Sequence, residues 1–574
     1  MASAHFIHIN AANIGPFMTA DVDEVAGKSF DYIVVGGGAC GCPLAATLSK
    51  SYSVLLVERG GSPYGNHLIE DESSLGHYNI IPDEPTSVAQ AFVSEEGVAN
   101  VRGRVLGGTT AINGGFYSRA GEDFIERAGW DGELVKDAYE WVESKVVFRP
   151  YKLTSWQSVA KEALVEAGVT PFNGFTLEHV EGTKIGGSIF DGNRKRHTSA
   201  DLLKLGDFKR LTVLLNATVQ NVIFQHTGDG KSPRARGIRI IKSHSTNGGV
   251  YEVYLNQPKR GGSWGDVILS AGALGSPQIL MLSGIGPHEH LKHFNISPLI
   301  NTTEVGKGIQ DNPGLAFVLN ISQALQKQPP AGAQIVGVAN DFRIIIASLT
   351  APISLNMTIK IISAKVANPL SRGELKLNST DPRQNPSVKF NYFEKERDLD
   401  ECVQMARLIE RAARTDSIEK FLGRTQSGIV DGGGSVEEKL RGLCKKNVST
   451  IGHYHGGCLV GSVVDADYKV LGVEGLRVLD GSTFLDSPGT NPMATVMMLG
   501  RILNQSGILT GSDDTTATIG RSSEPANHRF GEVRNRMRIG NWNQNLGKYW
   551  KESRSFKALV NPMSSQIAKS SSII

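Results

Sequence analysis

The 574-residue chain has no run of eighteen apolar residues, so nothing in it reads as a membrane-spanning helix. It also lacks a charge imbalance. The 60 Lys and Arg stand against 57 Asp and Glu, and a net charge of +3 supplies no field for nucleic acid or an acidic surface. Five cysteines are too few for a disulfide framework. Cys40 and Cys42 fall within a glycine turn and the helix start after it, where they read as small buried side chains. Cys402 and Cys444 flank a helical and loop-rich stretch and could pair in a secreted protein. Metal ligation is not expected, because His453 and His455 lie two apart with no further ligand near them in sequence. Gly261-Gly262-Ser263-Trp264-Gly265 matches G-x-S-x-G, but it precedes a strand instead of following one, so it does not read as a nucleophile elbow.

A secretory signal is missing as well, since residues 1–28 contain no basic segment leading into an apolar one. Eight N-x-S/T sequons point the other way, at Asn216, Asn295, Asn301, Asn320, Asn356, Asn378, Asn447 and Asn504. Chance would supply about half that number. Localisation therefore stays open.

What the chain has in excess is glycine, with 65 residues, and one cluster carries a clear reading. Tyr32 to Val35 is a short apolar strand, Gly36-Gly37-Gly38-Ala39-Cys40-Gly41 a tight turn, Pro43 to Ser49 an Ala/Leu helix, and Val54 to Val57 a second strand followed by Glu58. Gly36 permits the turn, Gly38 lets backbone amides approach a pyrophosphate at the helix N-terminus, and Gly41 allows close packing. Glu58, about 20 residues on, stands where a carboxylate meets ribose hydroxyls. The pattern is that of a dinucleotide site and leaves the dinucleotide unspecified.

Elsewhere, Asp123 to Lys145 has helical spacing, and a mostly polar loop precedes it up to Arg102. Strands are expected over Leu211–Phe224, Gly237–Lys242, Val250–Leu255 and Asp266–Ser270, with helix-like Pro277–Leu282 following. A Pro329-Pro330 loop gives way to alternating apolar strands up to Leu375. Asp398–Thr415 carries a Cys402, Met405, Leu408, Ile409 and Ala412 stripe. Residues 1–28 read as an irregular leader. Residues 506–574 read as a polar, disordered tail.

Two further glycine-rich segments have an unusual composition. Gly103-Arg104-Val105-Leu106-Gly107-Gly108-Thr109-Thr110-Ala111-Ile112-Asn113-Gly114-Gly115-Phe116 does not follow a recognisable strand. Gly272-Ala273-Leu274-Gly275-Ser276-Pro277 lies at a strand–helix junction. Both fit the two signature patterns of the glucose–methanol–choline (GMC) family of FAD oxidoreductases. Val305-Gly306, Asp311-Asn312, His453 to Cys458, Asp480-Gly481-Ser482 and Asn491-Pro492 follow in the family's order. The phrases at 115–119, 127–131, 453–458 and 480–484 resemble the plant branch, which holds HOTHEAD-like alcohol dehydrogenases and mandelonitrile lyases.

The resemblance implies an α/β fold, with a Rossmann-like FAD-binding domain and an α+β substrate domain built on an antiparallel sheet. It divides the chain into residues 29–315, mainly FAD-binding, a substrate-domain segment 316–366, and a C-terminal region 367–505. FAD is the implied cofactor, with Ala39 and Cys40 near the pyrophosphate and Glu58 and Arg59 near the adenosine ribose. Val105, Thr109 and Asn113 to Phe116, with Gly114 and Gly115 between, should line the flavin and pyrophosphate, and Val219 should meet adenine. Asp480, Gly481, Asn491 and Pro492 should return to the flavin.

His453 is the implied base and Asn491 its partner in the active site, acting on a small-molecule alcohol, with long-chain ω-hydroxy fatty acids as the implied class. A base with a pKa near working pH would suit that task. The electron acceptor is not specified. A carbon–carbon lyase of the mandelonitrile type and a catalytically impaired flavoprotein remain alternatives. The lyases carry His where this chain has Asn491, and an amide cannot titrate. Gly452 replaces the branch's usual Trp at the substrate site, which should widen the pocket, and the stretch between Asn312 and Ser371 is shorter than in the branch.

Overall fold

The computed structural model describes residues 16–79, 83–150, 152–225, 232–245, 248–257, 265–354, 356–426 and 435–505. The tail 506–574, the first half of the leader and Gly261 to Trp264 lie outside the described residues.

Strands β1 (Tyr32–Val35) and β2 (Val54–Val57) are buried on both faces, which is why they read as continuous apolar runs. Helix α1 (Gly41–Leu48) connects them, and they pair in parallel along their whole length. Val267–Leu269 and Leu476–Val478 extend the sheet beyond β1, while Leu211–Leu214 and Met18–Thr19 extend it beyond β2. All five pairings are parallel. The leader is thus not irregular throughout, since Met18–Thr19 forms an edge strand, one too short to show a period in sequence. Ala217–Gln225, Arg234–Lys242, Tyr251–Leu255 and Ser29–Phe30 form a separate four-stranded sheet in that order.

A second large sheet has seven strands and draws them from distant parts of the chain. Its order is Ser449–Thr450, Pro313–Val318, β4 (Met357–Val366), β3 (Ile344–Ser354), Ile335–Ala339, Gly182–Ile185 and Phe172–Phe175. Alternation along β3 separates its two faces. Ile344 and Ile346 pack with Cys402, Met405 and Leu408 of helix α2 (Glu396–Ala413), whereas Ile345, Ala347 and Leu349 cluster with Phe116 and Val336 on the opposite face. The stripe expected along α2 is buried as a unit.

Two local expectations change. The single helix over 123–145 is two, Glu122–Arg127 and Gly132–Val146, with Asp131 capping the second by accepting from the N–H groups of Glu133 and Leu134. The polar loop before Gly103 holds a hairpin, Ala89–Val93 against Ala99–Gly103. Its second strand buries Asn100 and Arg102 instead of apolar side chains, so hydrophobic periodicity does not reveal it.

Cys402 of α2 is joined to Cys444 of α3 (Val436–Lys446) by a disulfide that closes 42 residues of chain. Constraining a loop of that length in the unfolded state is worth roughly 2–4 kcal/mol. A Cys402→Ala/Cys444→Ala double variant should therefore melt at a clearly lower temperature than the parent under non-reducing conditions. An unchanged melting temperature would show that the bond contributes nothing to stability.

Candidate active site

The C-terminal ends of β1 and Val267–Leu269 flank the point where strand order switches direction, the usual ligand crevice of a doubly wound sheet. Gly36 turns the chain there with φ of 104°, and a Cβ on it would stand 2.4 Å from the Ser270 carbonyl oxygen. A Cβ on Gly41 would stand 1.9 Å from the Gly36 carbonyl oxygen, so α1 can approach the turn only because position 41 is glycine. At Gly38 the Cβ direction is open. The first N–H groups of a helix have no intrahelical acceptor, and Gly38, Ala39 and Cys40 at that end line a cavity of about 470 Å³. An open approach at Gly38 and free amides at a helix start fit a dinucleotide diphosphate.

Glu58 also lines this cavity, but its carboxylate has structural work as well. Oε2 accepts from Gly37 N–H at 2.9 Å and Oε1 from Gly60 N–H at 2.8 Å. The side chain thereby ties the glycine turn to the end of β2. Burial raises its pKa, and the backbone donors oppose that rise. Each oxygen keeps a lone pair for a ribose hydroxyl. Beside it, Arg59 donates to Gly103 O at 3.0 Å, tying the end of β2 to the second glycine segment.

That segment wraps the cavity from Gly103 through a short 3-10 turn to Phe116, with Thr109, Asn113, Gly114, Gly115 and Phe116 on the wall. Asn113 is held from two sides. Its Oδ1 accepts from Gly115 N–H and from Arg196 Nη1, both at 3.0 Å, and Arg196 Nη2 donates to its carbonyl at 2.8 Å. Val219 lines the far end of the cavity, and Asp480, Gly481, Asn491 and Pro492 line the return from the C-terminal part. The Asp480 carboxylate accepts from Gly272 N–H at 2.8 Å, Ser276 Oγ at 2.6 Å and Ser482 N–H at 2.8 Å. It joins the return loop to the start of helix Gly272–Leu282. Val105 and Gly41 lie behind the wall. Val105 packs in an apolar cluster with Ile69, Ala89, Ala111 and Ile112, the last of which lines the cavity.

At the other end of the cavity, His453 and Asn491 meet, Asn491 Nδ2 standing 3.3 Å from His453 Nε2. Asp311 positions the histidine by accepting from its N–H at 3.0 Å. On the far side of the ring, Nδ1 lies 3.1 Å from Lys365 Nζ of β4. Burial first, then the charges of Lys365 and His455, hold the His453 pKa well below its usual value. The ring is therefore neutral in the working range, not poised near it as the sequence suggested. His455 turns away, with its Nδ1 2.9 Å from the His453 carbonyl oxygen. Gly452 adopts φ of 74°, a conformation that a Trp could hold only with strain. Its Cβ direction is open apart from Tyr454 Oη at 3.8 Å.

Lys365, Asp311 and Arg196 contact the candidate residues His453 and Asn113, and sequence reasoning assigned them no role. Lys365 left one available signal, a lysine at a core-facing position of an apolar strand, where Ile359, Ile361 and Ser363 precede it at spacing two. Arg196, by contrast, sits in a polar stretch that hides its 4% exposure.

Comparison with known proteins agrees with this geometry. Two family models, each described as GMC oxidoreductase, match residues 30–314 and 369–500. An (R)-mandelonitrile lyase-like protein of Arabidopsis thaliana is 44% identical over 524 residues, 85% of this chain and 91% of the relative. Protein HOTHEAD of the same plant is 42% identical, with 83% and 87% covered. Sinalpyl alcohol oxidase Nec3 of Nesocodon mauritianus is 40% identical, with 83% and 88% covered. Among solved structures, an Aspergillus oryzae formate oxidase superposes with a TM-score of 0.71 at 18% identity, covering 85% of this chain and 99% of its own. A fungal aryl-alcohol oxidase gives 0.66 at 19% identity, with 83% and 99% covered. At these identities the structures speak for the fold alone.

The double engagement of Glu58 makes it a sensitive point. In a Glu58→Gln variant one of the two backbone N–H groups faces an amide donor, at a cost of about 1–3 kcal/mol. Bound cofactor per polypeptide should fall roughly tenfold or more at limiting FAD, measured from visible absorbance after desalting, with secondary structure retained. Full cofactor retention would assign the carboxylate no part in binding.

Proposed function

Because the chain belongs to the GMC oxidoreductase family and takes FAD as its cofactor, we propose that it oxidises the CH–OH group of a lipophilic primary alcohol, with His453 as the base. The observation that carries this reading is the pairing of a neutral His453 ring with the Asn491 amide at one end of the dinucleotide cavity. Bound FAD supplies the hydride acceptor. His453 Nε2, on the cavity side, is the acceptor for the alcohol proton, and the Asn491 amide offers a hydrogen bond to the oxygen as negative charge develops on it. Asp311 fixes the main chain of the base, and the contacts of its two ring nitrogens with Lys365 and Asn491 orient the ring.

The rest of the cavity supports a lipophilic substrate. Val336, Ile345, Ala347 and Leu349 of the seven-stranded sheet, with Phe116 and Ile451, make an apolar wall beside the catalytic pair. Removal of the expected indole at Gly452 leaves room at the same end. Long-chain ω-hydroxy fatty acids are the substrate class to test first. A lyase reading needs a second proton-handling group near cyanide, and Asn491 does not titrate.

Anaerobic addition of an ω-hydroxy fatty acid to the purified holoenzyme should bleach the visible flavin band. Cyanide release from mandelonitrile without bleaching would support the lyase instead, and a protein that carries no flavin sinks both readings. A His453→Ala variant should reduce its flavin at least 100-fold more slowly, and an unchanged rate removes the base assignment. Leu349→Asn should lower kcat/KM for long chains about tenfold while sparing short alcohols, because only the long chain buries surface there.

A further inference from the structure

The cavity wall beside His453 carries a buried lysine. Lys365 is 1% exposed, and no carboxylate among the described residues comes within ion-pairing distance of it. Its Nζ donates to the Thr490 carbonyl at 2.9 Å and lies 3.1 Å from His453 Nδ1. The ring's other nitrogen, Nε2, faces the cavity and Asn491.

This contact constrains the imidazole tautomer. An ammonium has protons to donate and no lone pair to accept with. Beside a charged lysine, Nδ1 must accept, and a neutral ring then carries its one proton on Nε2. A lone pair on Nε2 requires the proton on Nδ1, where its partner at 3.1 Å is the lysine nitrogen. That nitrogen can accept only as the free amine. We infer that Lys365 is a positioning residue whose charge selects the His453 tautomer: as an ammonium it holds Nε2 protonated, and as an amine it frees Nε2 to take a proton. The change from the first state to the second releases one proton to solvent. The inference rests on reading His453 as the base.

The surroundings decide where this change falls. The ionisable groups around Lys365 are His453 and His455 on the 453–458 segment, Asp311 just before Pro313–Val318, and His179 just before Gly182–Ile185. Asp311 favours the ammonium, but it is already committed to four other donors. Burial outweighs it and pushes Lys365 down to about 7. His455 and His179 are each lowered to about 4, and His453 is held well below its usual value, so none of the three titrates near neutrality.

The test is the pH profile of alcohol oxidation by the holoenzyme. Wild type should show kcat/KM rising with pH through a single ionisation near neutrality. Lys365→Met should abolish that acid limb. Lys365→Arg, permanently charged, should lower the rate at least 100-fold at every pH while FAD content stays full. A lysine that merely supplies positive charge predicts the reverse order, with Arg tolerated and Met damaging, and that order would overturn the inference. Selective ¹⁵N-histidine labelling gives an independent readout on wild type alone, should the variants fail to fold. The His453 Nε2 resonance should move from a protonated to an unprotonated shift across the acid limb, and a tautomer constant across it also overturns the inference. Loss of the base reading shows separately, as a His453→Ala variant of undiminished rate.

Discussion

The end of the cavity where His453 and Asn491 meet depends on one buried carboxylate. Asp311 Oδ1 accepts from the N–H groups of Asn312 and His453, and its Oδ2 accepts from the hydroxyls of Tyr392 and Thr450. Four donors fill the acceptor capacity of one carboxylate. Burial raises the Asp311 pKa, and these donors pull it back toward the charged form that they need. The neighbouring Asn312 side chain donates to the Val366 and Ala367 carbonyls, which pins the end of β4. The segment bearing His453 and the strand bearing Lys365 are therefore held by adjacent residues. The short distance between the two side chains follows from that shared anchor.

A comparable device works at the opposite end. Glu58 spans Gly37 and Gly60 and so fixes the glycine turn against β2, as Asp480 fixes the return loop against Gly272–Leu282. Each carboxylate is satisfied by protein donors before any ligand arrives, so the wall is organised in advance. The segments thus fixed come from the 36–59, 102–116, 271–279 and 480–493 regions, and all of them face one cavity. A cofactor binding there contacts segments that an unfolded chain does not bring together. FAD therefore binds the folded state far better than the unfolded one and adds its binding free energy to the stability of the chain.

The parts of the fold legible in the sequence were those in which burial and composition agree. β1, β2 and α1 are apolar throughout because parallel strands are covered on both faces, and Gly36 and Gly41 are glycine because carbonyl oxygens occupy the space of a Cβ. Reading failed where buried positions are polar. Ala99–Gly103 turns Asn100 and Arg102 inward, and a strand of that kind has the composition of a loop. The helix break at Gly129 was lost because apolar spacing continues across it from Phe124 to Val135. At the site, His453 and Asn491 could be named only because the family resemblance implies them. Lys365 and Arg196 act across 88 and 83 positions, and no local pattern encodes a partner so far away.

The chemistry of this fold is decided within a small volume beside the flavin site, since the same scaffold serves an alcohol oxidase and a mandelonitrile lyase-like relative. The side chain at position 491, whose nitrogen stands 3.3 Å from His453 Nε2, is an amide and does not titrate. A group that can exchange a proton with the ring is Lys365, at Nδ1, the nitrogen opposite the one that meets Asn491. Protonating the ring beside an ammonium would place two positive charges 3.1 Å apart in a buried site, which both the short distance and the low polarity penalise. A proton taken at Nε2 is therefore retained most easily when the lysine is an amine, because only then is a single positive charge shared by the pair. On the proposed assignment of His453 as the base, proton transfer becomes a property of the lysine–histidine pair, while the Asn491 amide keeps its charge throughout.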